Sequence, residues 1–198
     1  MAATARGVLA RLVAVHDSLD RAGLDHAVGG ALALATYVYP PRGTADIDLN
    51  LTADPADPAR VLSALPKQVQ IHSGAAEQLS SDSQVRLWWR SAELDTPIDL
   101  FLPASPIYHR LVVERARPAV FLGAEIKVLT ATDLMVFKML FDRRQDWADI
   151  EGLIRADAGD AAEAADWVAQ IVGPTDPRLA KLQEIRDEVS GEKGEIGG

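Results

Sequence analysis

The sequence predicts an α/β (α+β) fold, in which an α/β half of roughly 130 residues is followed by a helical half. Two observations predict this order. Short segments with strand or helix patterns alternate along the first half, whereas only helical periodicity follows Thr130. Apolar residues make up 48% of the 198 residues, so the chain can bury a core of ordinary size.

The first elements are a helix, a strand, a second helix and a second strand. Residues 5–22 carry apolar side chains at helical spacing, and "DHAV" is a short strand that leads into Gly29 and Gly30. The segment "ALALATYV" predicts a buried helix that Pro40 and Pro41 end. The segment "ADIDLNL" alternates polar with apolar residues, which is the period of a strand with one apolar face.

The rest of the first half adds one helix and several strands. A short helix fits residues 58–65, and a hairpin with its turn at Gly123 fits residues 119–130. Strands are expected at three further places, near residues 69–72, over 84–92 and over 96–103.

The second half predicts helices only. The segment "TATDLMVFKMLFDRRQDWADIEGLI" opens with a cap at Thr130 or Thr132 and continues with helical periodicity. Two further helices are expected over residues 160–172 and 176–189. We therefore expect three parts, namely an α/β core with an N-terminal helix over residues 1–130, a helical subdomain over 131–189 and a disordered tail over 190–198.

Composition excludes several classes of protein. Cysteine is absent, which excludes a disulfide framework, a thiol nucleophile and cysteine metal ligands. No stretch is long and apolar enough to span a bilayer, and the N-terminal stretch fits an amphipathic helix better than a signal peptide, so we expect a cytoplasmic protein with no membrane partner. The net charge of −9 argues against broad nonspecific binding of nucleic acid, although it permits a local basic patch.

Three aspartates in predicted strands are the first candidates for chemistry. Asp46 and Asp48 are two apart in a strand, so their carboxylates project from one face and repel each other. Asp99 lies in another apolar strand and joins them if the two strands pair. Oxygen ligands suit Mg²⁺, and three carboxylates can hold two metal ions for displacement at phosphorus. In the structural alternative, Asp46 and Asp48 face solvent and Asp99 pairs with an arginine.

Gly29 and Gly30 predict a phosphate site where a strand leads into a helix. Glycine lets backbone N–H groups approach a phosphate, and a helix N-terminus favours an anion. Thr44 adds a hydroxyl and Arg42 a charge-assisted contact to the same phosphates. A tight strand-to-helix turn explains the glycine pair equally well when the pair is considered alone.

Lys138 lies in the otherwise apolar stretch "LMVFKMLF", where a charged group is costly unless it reaches solvent or an anion. The anion is either a triphosphate or a salt-bridge partner such as Asp142 or Asp146. Asp146 and Asp149 are three apart and share a helical face, and Asp149 is interpreted as a surface or capping group.

The order of these motifs resembles the polymerase-β-type nucleotidyltransferase superfold. The shared features are a Gly-Gly pair, an intervening helix, an hD-x-Dh strand and a lone Asp on a later strand. Within that superfold, "AVGGALALATYV…RGTADIDL" together with "TATDLMVFKMLFDRRQDWADIEGLI" resembles the AbiEii-like and MenT-like toxin nucleotidyltransferases, which carry a helical Lys and a following "R-x-x-D-h-x-D-h" segment. The resemblance covers most of residues 24–155 and implies a mixed-sheet core followed by a helical part.

The resemblance also implies a role for individual residues. Asp46 and Asp48 match the metal carboxylates, and Asp99 matches the third acidic position. Lys138 matches the helical lysine, which is expected to contribute to both catalysis and nucleotide binding, and Asp146 matches the catalytic acidic residue that follows it.

The same resemblance implies Mg²⁺ (or Mn²⁺) as cofactor, an NTP as substrate, an RNA acceptor such as the tRNA 3′ end, and a cognate antitoxin. Arg143 and Arg144 lie beside the implied active site and are the candidate RNA contacts. Two alternatives remain open: transfer of the nucleotide to a small molecule or a protein hydroxyl, and an inactive module that binds a nucleotide or a partner.

Overall fold

The computed structural model describes residues 2–103 and 106–196. The chain packs as two units. The first comprises the residues up to Ala33 together with Arg42–Leu129, and the second comprises Leu34–Pro41 together with the residues from Thr130 onwards. The segment Leu34–Pro41 therefore packs with the helical residues, although the sequence assigned it to the α/β core.

The first unit is built on one mixed sheet, which confirms the predicted fold class. Its strands are β1 (His26–Val28), β2 (Ile47–Leu51), β3 (Val69–Gln70), β4 (Gln84–Trp89), β5 (Thr96–Phe101), β6 (Arg117–Phe121) and β7 (Ala124–Val128). Their order across the sheet is β3-β4-β5-β2-β1-β7-β6. Strand β2 pairs in parallel with β5, and β1 pairs in parallel with β7, while the other neighbours are antiparallel.

The helices are numbered in chain order. They are α1 (Ala2–Arg21), α2 (Gly30–Leu34), α3 (Pro58–Ser63), α4 (Ala75–Asp82), α5 (Pro106–Glu114), α6 (Ala131–Phe141), α7 (Arg144–Arg155), α8 (Ala161–Val172) and α9 (Pro177–Ile196). No helix in the described part of the chain is long and apolar enough to cross a membrane.

Alternation along β2 and β5 divides their side chains between a buried face and the face that carries the aspartates. Ile47, Leu49, Ile98 and Leu100 are fully buried in the core. Asp48 projects from the opposite face of β2, because successive side chains of a strand point to opposite faces. The apolar residues of these strands therefore fix the direction in which the carboxylates point.

Two helices of the first unit were missed by the sequence analysis. α4 has the sequence "AAEQLSSD" and buries only Ala75 and Leu79, so its apolar pattern is too short to stand out. α5, Pro106–Glu114, is also short, with nine residues. The predicted helix "ALALATYV" ends at Leu34, because β-branched and aromatic residues follow, and these are poor helix formers.

The long helix predicted after Thr130 is two helices. Thr130 caps α6 as predicted, since its hydroxyl accepts a hydrogen bond from Asp133 N. Asp142 then takes a left-handed conformation with φ 54° and ends α6, and α7 begins at Arg144. Aspartate adopts this conformation more readily than most residues, so the helix can break here without a Gly or Pro. The sequence therefore contains no residue that predicts the break.

The last helix is longer than predicted. α9 continues to Ile196, seven residues beyond the expected end at Val189. α9 thus includes residues 190–196, which the sequence assigned to a disordered tail, and Gly197 and Gly198 lie outside the described residues.

A buried histidine gives the first unit a pH-dependent stability. The His26 ring bonds to the Leu24 carbonyl at 2.7 Å and to the His16 ring at 2.9 Å. Burial lowers the pKa of His26 below 6.5, and His16 acts in the same direction, while the Leu24 hydrogen bond and the charges of Asp20 and Asp25 act against it.

We therefore expect the free energy of unfolding to fall as the pH drops below 6.5. In that range the unfolded chain takes up the His26 proton more readily than the folded chain does. Urea denaturation at pH 7.5 and 5.5, conditions of roughly one unit on either side of the ordinary His pKa, measures the loss. His26→Gln should reduce the pH dependence, and the exposed-site control His72→Gln should not. Equal pH dependence in the native and His26→Gln proteins would contradict the assignment.

Candidate functional site

Neighbouring strands bring two of the predicted carboxylates side by side. Asp48 on β2 and Asp99 on β5 are register partners in a parallel pair, so both project from the same face of the sheet. The conditional expectation that the strand of Asp99 pairs beside that of Asp48 is confirmed. Asp46 immediately precedes β2 and is partly exposed, with a side-chain exposure of 41%.

An arginine on the next strand binds Asp99 directly. Arg86 on β4 is the register partner of Asp99. Its Nε donates to Asp99 Oδ1 at 2.8 Å and its second terminal nitrogen donates to Asp99 Oδ2 at 2.6 Å, which is a bidentate fork. The same terminal nitrogen lies 3.7 Å from Asp46 Oδ2. The arginine partner that the sequence left as an alternative for Asp99 is thus present.

The environment of this pair is asymmetric. The Asp99 side chain is 6% exposed, whereas half of the Arg86 side chain reaches solvent. The hydrogen bond to Asp99 raises the pKa of the Arg86 guanidinium, and the charges of Asp99, Asp46 and Asp48 raise it further against the opposing effect of burial. Arg86 is therefore a fixed positive charge within a group of carboxylates. The sequence analysis did not assign Arg86 to Asp99.

The glycine pair lies directly against Asp48. Gly29 N donates to the Asp48 carbonyl at 2.8 Å. Gly30 has φ +52°, and a methyl group there would meet Asp48 Cγ at 2.5 Å, so a larger residue would displace the carboxylate. Because α2 has only five residues, the helix dipole adds less at this point than the sequence predicted. Gly29 is buried and Gly30 is partly exposed, and the lack of a side chain at Gly30 makes room for the Asp48 carboxylate.

The segment before β2 carries the two other residues predicted to contact phosphate. Thr44 Oγ1 accepts a hydrogen bond from Asp46 N at 3.1 Å, which orders the chain just before the first carboxylate. Arg42 is exposed. Both lie within four residues of Asp46 along the chain, and both belong to the first unit.

The second unit holds a separate group of buried charges around Lys138. Lys138 Nζ donates to Asp149 Oδ2 at 2.5 Å and lies 3.6 Å from Asp146 Oδ1. Gln145 donates to the other Asp149 oxygen at 3.0 Å. Lys138 and Asp149 are each 5% exposed, so the interpretation of Asp149 as a surface or capping group is wrong. The sequence feature that could have predicted the burial of Asp149 is its position three residues after Asp146, on the same helical face.

Asp146 is held from two sides. It is 1% exposed and accepts from the Arg143 backbone N at 3.2 Å and from Arg143 Nε at 2.7 Å. Arg143 is the N-cap of α7, and its side chain remains 69% exposed. Arg144, the first residue of α7, is exposed. Asp146 thus orders the start of α7 in addition to its contact with Lys138.

The donor chemistry of the first unit suits a divalent cation. Asp46, Asp48 and Asp99 supply carboxylate oxygens, which are the ligands that Mg²⁺ prefers. The Arg86 guanidinium on Asp99 is a cation at the place where the carboxylates concentrate negative charge. As these side chains are arranged, no three or more acidic or histidine groups within the described ranges come together as a metal cluster.

The comparisons with known proteins identify the fold. No family model matches the chain, and no curated protein matches it. An antigenic nucleotidyltransferase-like protein from Paracoccidioides brasiliensis is similar in structure, with TM-score 0.52, 16% identity, and coverage of 86% of this chain and 91% of that protein. A candidate nucleotidyltransferase from H. pylori is similar with TM-score 0.52 and 14% identity, over 97% of both chains. The nucleotidyltransferase fold predicted from the motifs is thus confirmed.

Proposed function

We propose that the chain is a metal-dependent nucleotidyltransferase of the AbiEii-like or MenT-like toxin type, which transfers NMP from an NTP to an RNA acceptor such as the tRNA 3′ end. The observation that carries the proposal is the placement of Asp48 against the Gly29–Gly30 backbone, with Asp99 in register beside it. Carboxylates beside a strand-to-helix glycine turn are the kind of groups that hold a triphosphate with its cation. The two structural neighbours support the class of reaction through their fold.

Residues of the first unit would bind the nucleotide. Asp46, Asp48 and Asp99 would hold Mg²⁺ or Mn²⁺, which when bound neutralises phosphate charge and stabilises the transition state at phosphorus. We assign the phosphate oxygens to the backbone at Gly29 and Gly30, of which Gly30 is partly exposed and Gly29 is buried with its N–H donated to the Asp48 carbonyl. Arg42 and Thr44, which lie just before Asp46, add a cation and a hydroxyl to the same phosphates.

The proposed reaction is an in-line displacement at the α-phosphorus. The oxygen of the acceptor hydroxyl forms a bond to the α-phosphorus, and the bond from that phosphorus to the oxygen bridging to the β-phosphate breaks. Pyrophosphate leaves with the bonding electron pair, and the hydroxyl proton passes to solvent. The protein contributes positioning and charge stabilisation, which are the main contributions to catalysis of such transfers.

Lys138 belongs to the second unit, where Asp149 and Asp146 orient its ammonium group from 2.5 Å and 3.6 Å. Its assignment to the triphosphate stays the prediction that the resemblance implies. A lysine ammonium carries three N–H donors, so a carboxylate contact leaves donors for a phosphate. This assignment makes Lys138 a binding residue and Asp149 a positioning residue.

The proposed RNA contacts must be local, because the chain carries a net charge of −9. Arg143 and Arg144 begin α7 and both are exposed. A substitution at Arg144 tests RNA binding more directly than one at Arg143, because Arg143 also bonds to the buried Asp146.

We expect Arg144→Glu to reduce the labelling of RNA about tenfold while NTP binding is retained, because a phosphate contact becomes a repulsion. Transfer of label from NTP to unlabelled RNA and calorimetric titration with a non-hydrolysable NTP measure the two effects. The control Lys67→Glu makes the same charge change at an exposed residue far in sequence from Arg143 and Arg144. An Arg144→Glu protein that labels RNA as well as the Lys67→Glu protein would contradict the assignment.

Incubation of the protein with Mg²⁺, each labelled NTP separately and total RNA tests the proposed function. Label on tRNA supports it. Consumption of NTP without labelling of RNA supports a small-molecule or protein acceptor instead, and inertness with every NTP supports an inactive module. In cells, expression without a partner should slow growth, and expression of the Asp48→Ala protein should not.

A further inference from the structure

Arg86 gives the first unit a cation of its own at the carboxylates. Its guanidinium forms two hydrogen bonds with Asp99, of 2.8 and 2.6 Å, and also approaches Asp46 at 3.7 Å. Both Asp99 oxygens are engaged by this fork. A carboxylate that is 6% exposed and is engaged in this way offers little to a second cation.

We infer that Arg86 is the resident counter-ion of this carboxylate group and competes with a divalent cation for Asp99. The inference rests on the cation site proposed above for Asp46, Asp48 and Asp99. In the nucleotide-free protein, Arg86 holds Asp99 and lies 3.7 Å from Asp46, so a free divalent cation binds weakly.

Electrostatics supports competition rather than shared binding. A guanidinium and a divalent cation on the same carboxylate repel each other, and the repulsion is strong near a partly buried group. Half of the Arg86 side chain is exposed, so it can move away from Asp99 when a nucleotide and its cation bind.

The competition would make the site selective for a cation that arrives with a triphosphate. A phosphate offers an arginine the same bidentate contact that a carboxylate does, so a bound nucleotide gives Arg86 an alternative partner. Free Mg²⁺ offers no such partner. Competition from Arg86 therefore delays cation binding at Asp99 until cation and nucleotide are both present.

Titration of the full-length protein with MnCl₂, without nucleotide, tests the inference by calorimetry and by electron paramagnetic resonance of free Mn²⁺. We expect Arg86→Gln to raise the affinity for Mn²⁺ about tenfold, because a positive charge near the cation is removed and Asp99 is released. Arg90→Gln is the matched control, since Arg90 lies just after the same strand and pairs at the surface with Asp95. Unchanged or lowered Mn²⁺ affinity in Arg86→Gln overturns the inference.

Loss of Arg86 leaves Asp99 buried without its fork, so the fold of the variant is checked by circular dichroism. If Arg86→Gln does not fold, Arg86→Lys is titrated instead, because it keeps the charge and loses the bidentate geometry. Its affinity for Mn²⁺ should rise about threefold as the contact with Asp99 weakens, and an unchanged affinity overturns the inference. The readout needs no nucleotide, so tighter Mn²⁺ binding by a protein inert toward every NTP would end the proposed function and leave this inference standing.

Discussion

Asp48→Ala is expected to lower nucleotidyl transfer by about 100-fold or more, because it removes the carboxylate beside the glycine backbone at which we place the cation and phosphates. The free energy of unfolding should stay the same or rise slightly, since one of several neighbouring negative charges is lost. Initial rates with labelled NTP and urea denaturation measure the two quantities.

Asp95→Ala is the matched control for this variant. Asp95 belongs to the same unit, but its side chain is 44% exposed and pairs with Arg90 at the surface. Transfer by the Asp95→Ala protein should equal that of the native chain. Near-normal transfer by a folded Asp48→Ala protein would remove Asp48 from the site and the cation assignment with it.

Lys138→Met is expected to lower the free energy of unfolding by about 3–5 kcal/mol, because it leaves the buried carboxylate of Asp149 without its cation. From the sequence alone, the expectation is a stable, folded protein, with unchanged or raised stability if Lys138 only packs, since methionine keeps the apolar stem of the lysine. The buried contacts of Lys138 with Asp149 and Asp146 change that expectation. Urea denaturation followed by circular dichroism measures the loss.

Two further variants separate charge pairing from packing. Lys138→Met with Asp149→Leu removes both partners of the pair and should recover most of the stability, because no buried charge is left uncompensated. Lys127→Met breaks the exposed pair with Asp25 and should cost less than about 1 kcal/mol. A Lys138→Met protein as stable as the native one would show that the buried carboxylates do not depend on Lys138.

The strand that carries the carboxylates was predictable because its signal is local. The alternation of Ile47, Leu49 and Leu51 with polar residues directly indicates a strand with two different faces. Gly29 and Gly30 were predictable for a similar reason, since few other residues permit the φ of +52° found at Gly30. In these segments, residues adjacent in sequence are enough to predict the local structure.

The partners of the carboxylates were not predictable because they depend on register and on helix geometry. Arg86 faces Asp99 only because β4 and β5 pair with these two residues opposite each other, 13 positions apart in sequence. Asp149 reaches Lys138 because the chain breaks at Asp142 and α7 folds back on α6. Hydrophobic alternation fixes the face on which a residue lies but not the residue opposite it on the neighbouring strand. Helical periodicity continues through the break at Asp142.

The most direct test of nucleotidyl transfer compares NTP labelled at the α-phosphate with NTP labelled at the γ-phosphate, using native protein, Mg²⁺ and total RNA. Our account predicts that the α-label becomes attached to RNA, that the γ-label appears in pyrophosphate, and that Asp48→Ala abolishes both. Attachment of the γ-label to any acceptor, or release of inorganic phosphate in place of pyrophosphate, would contradict it.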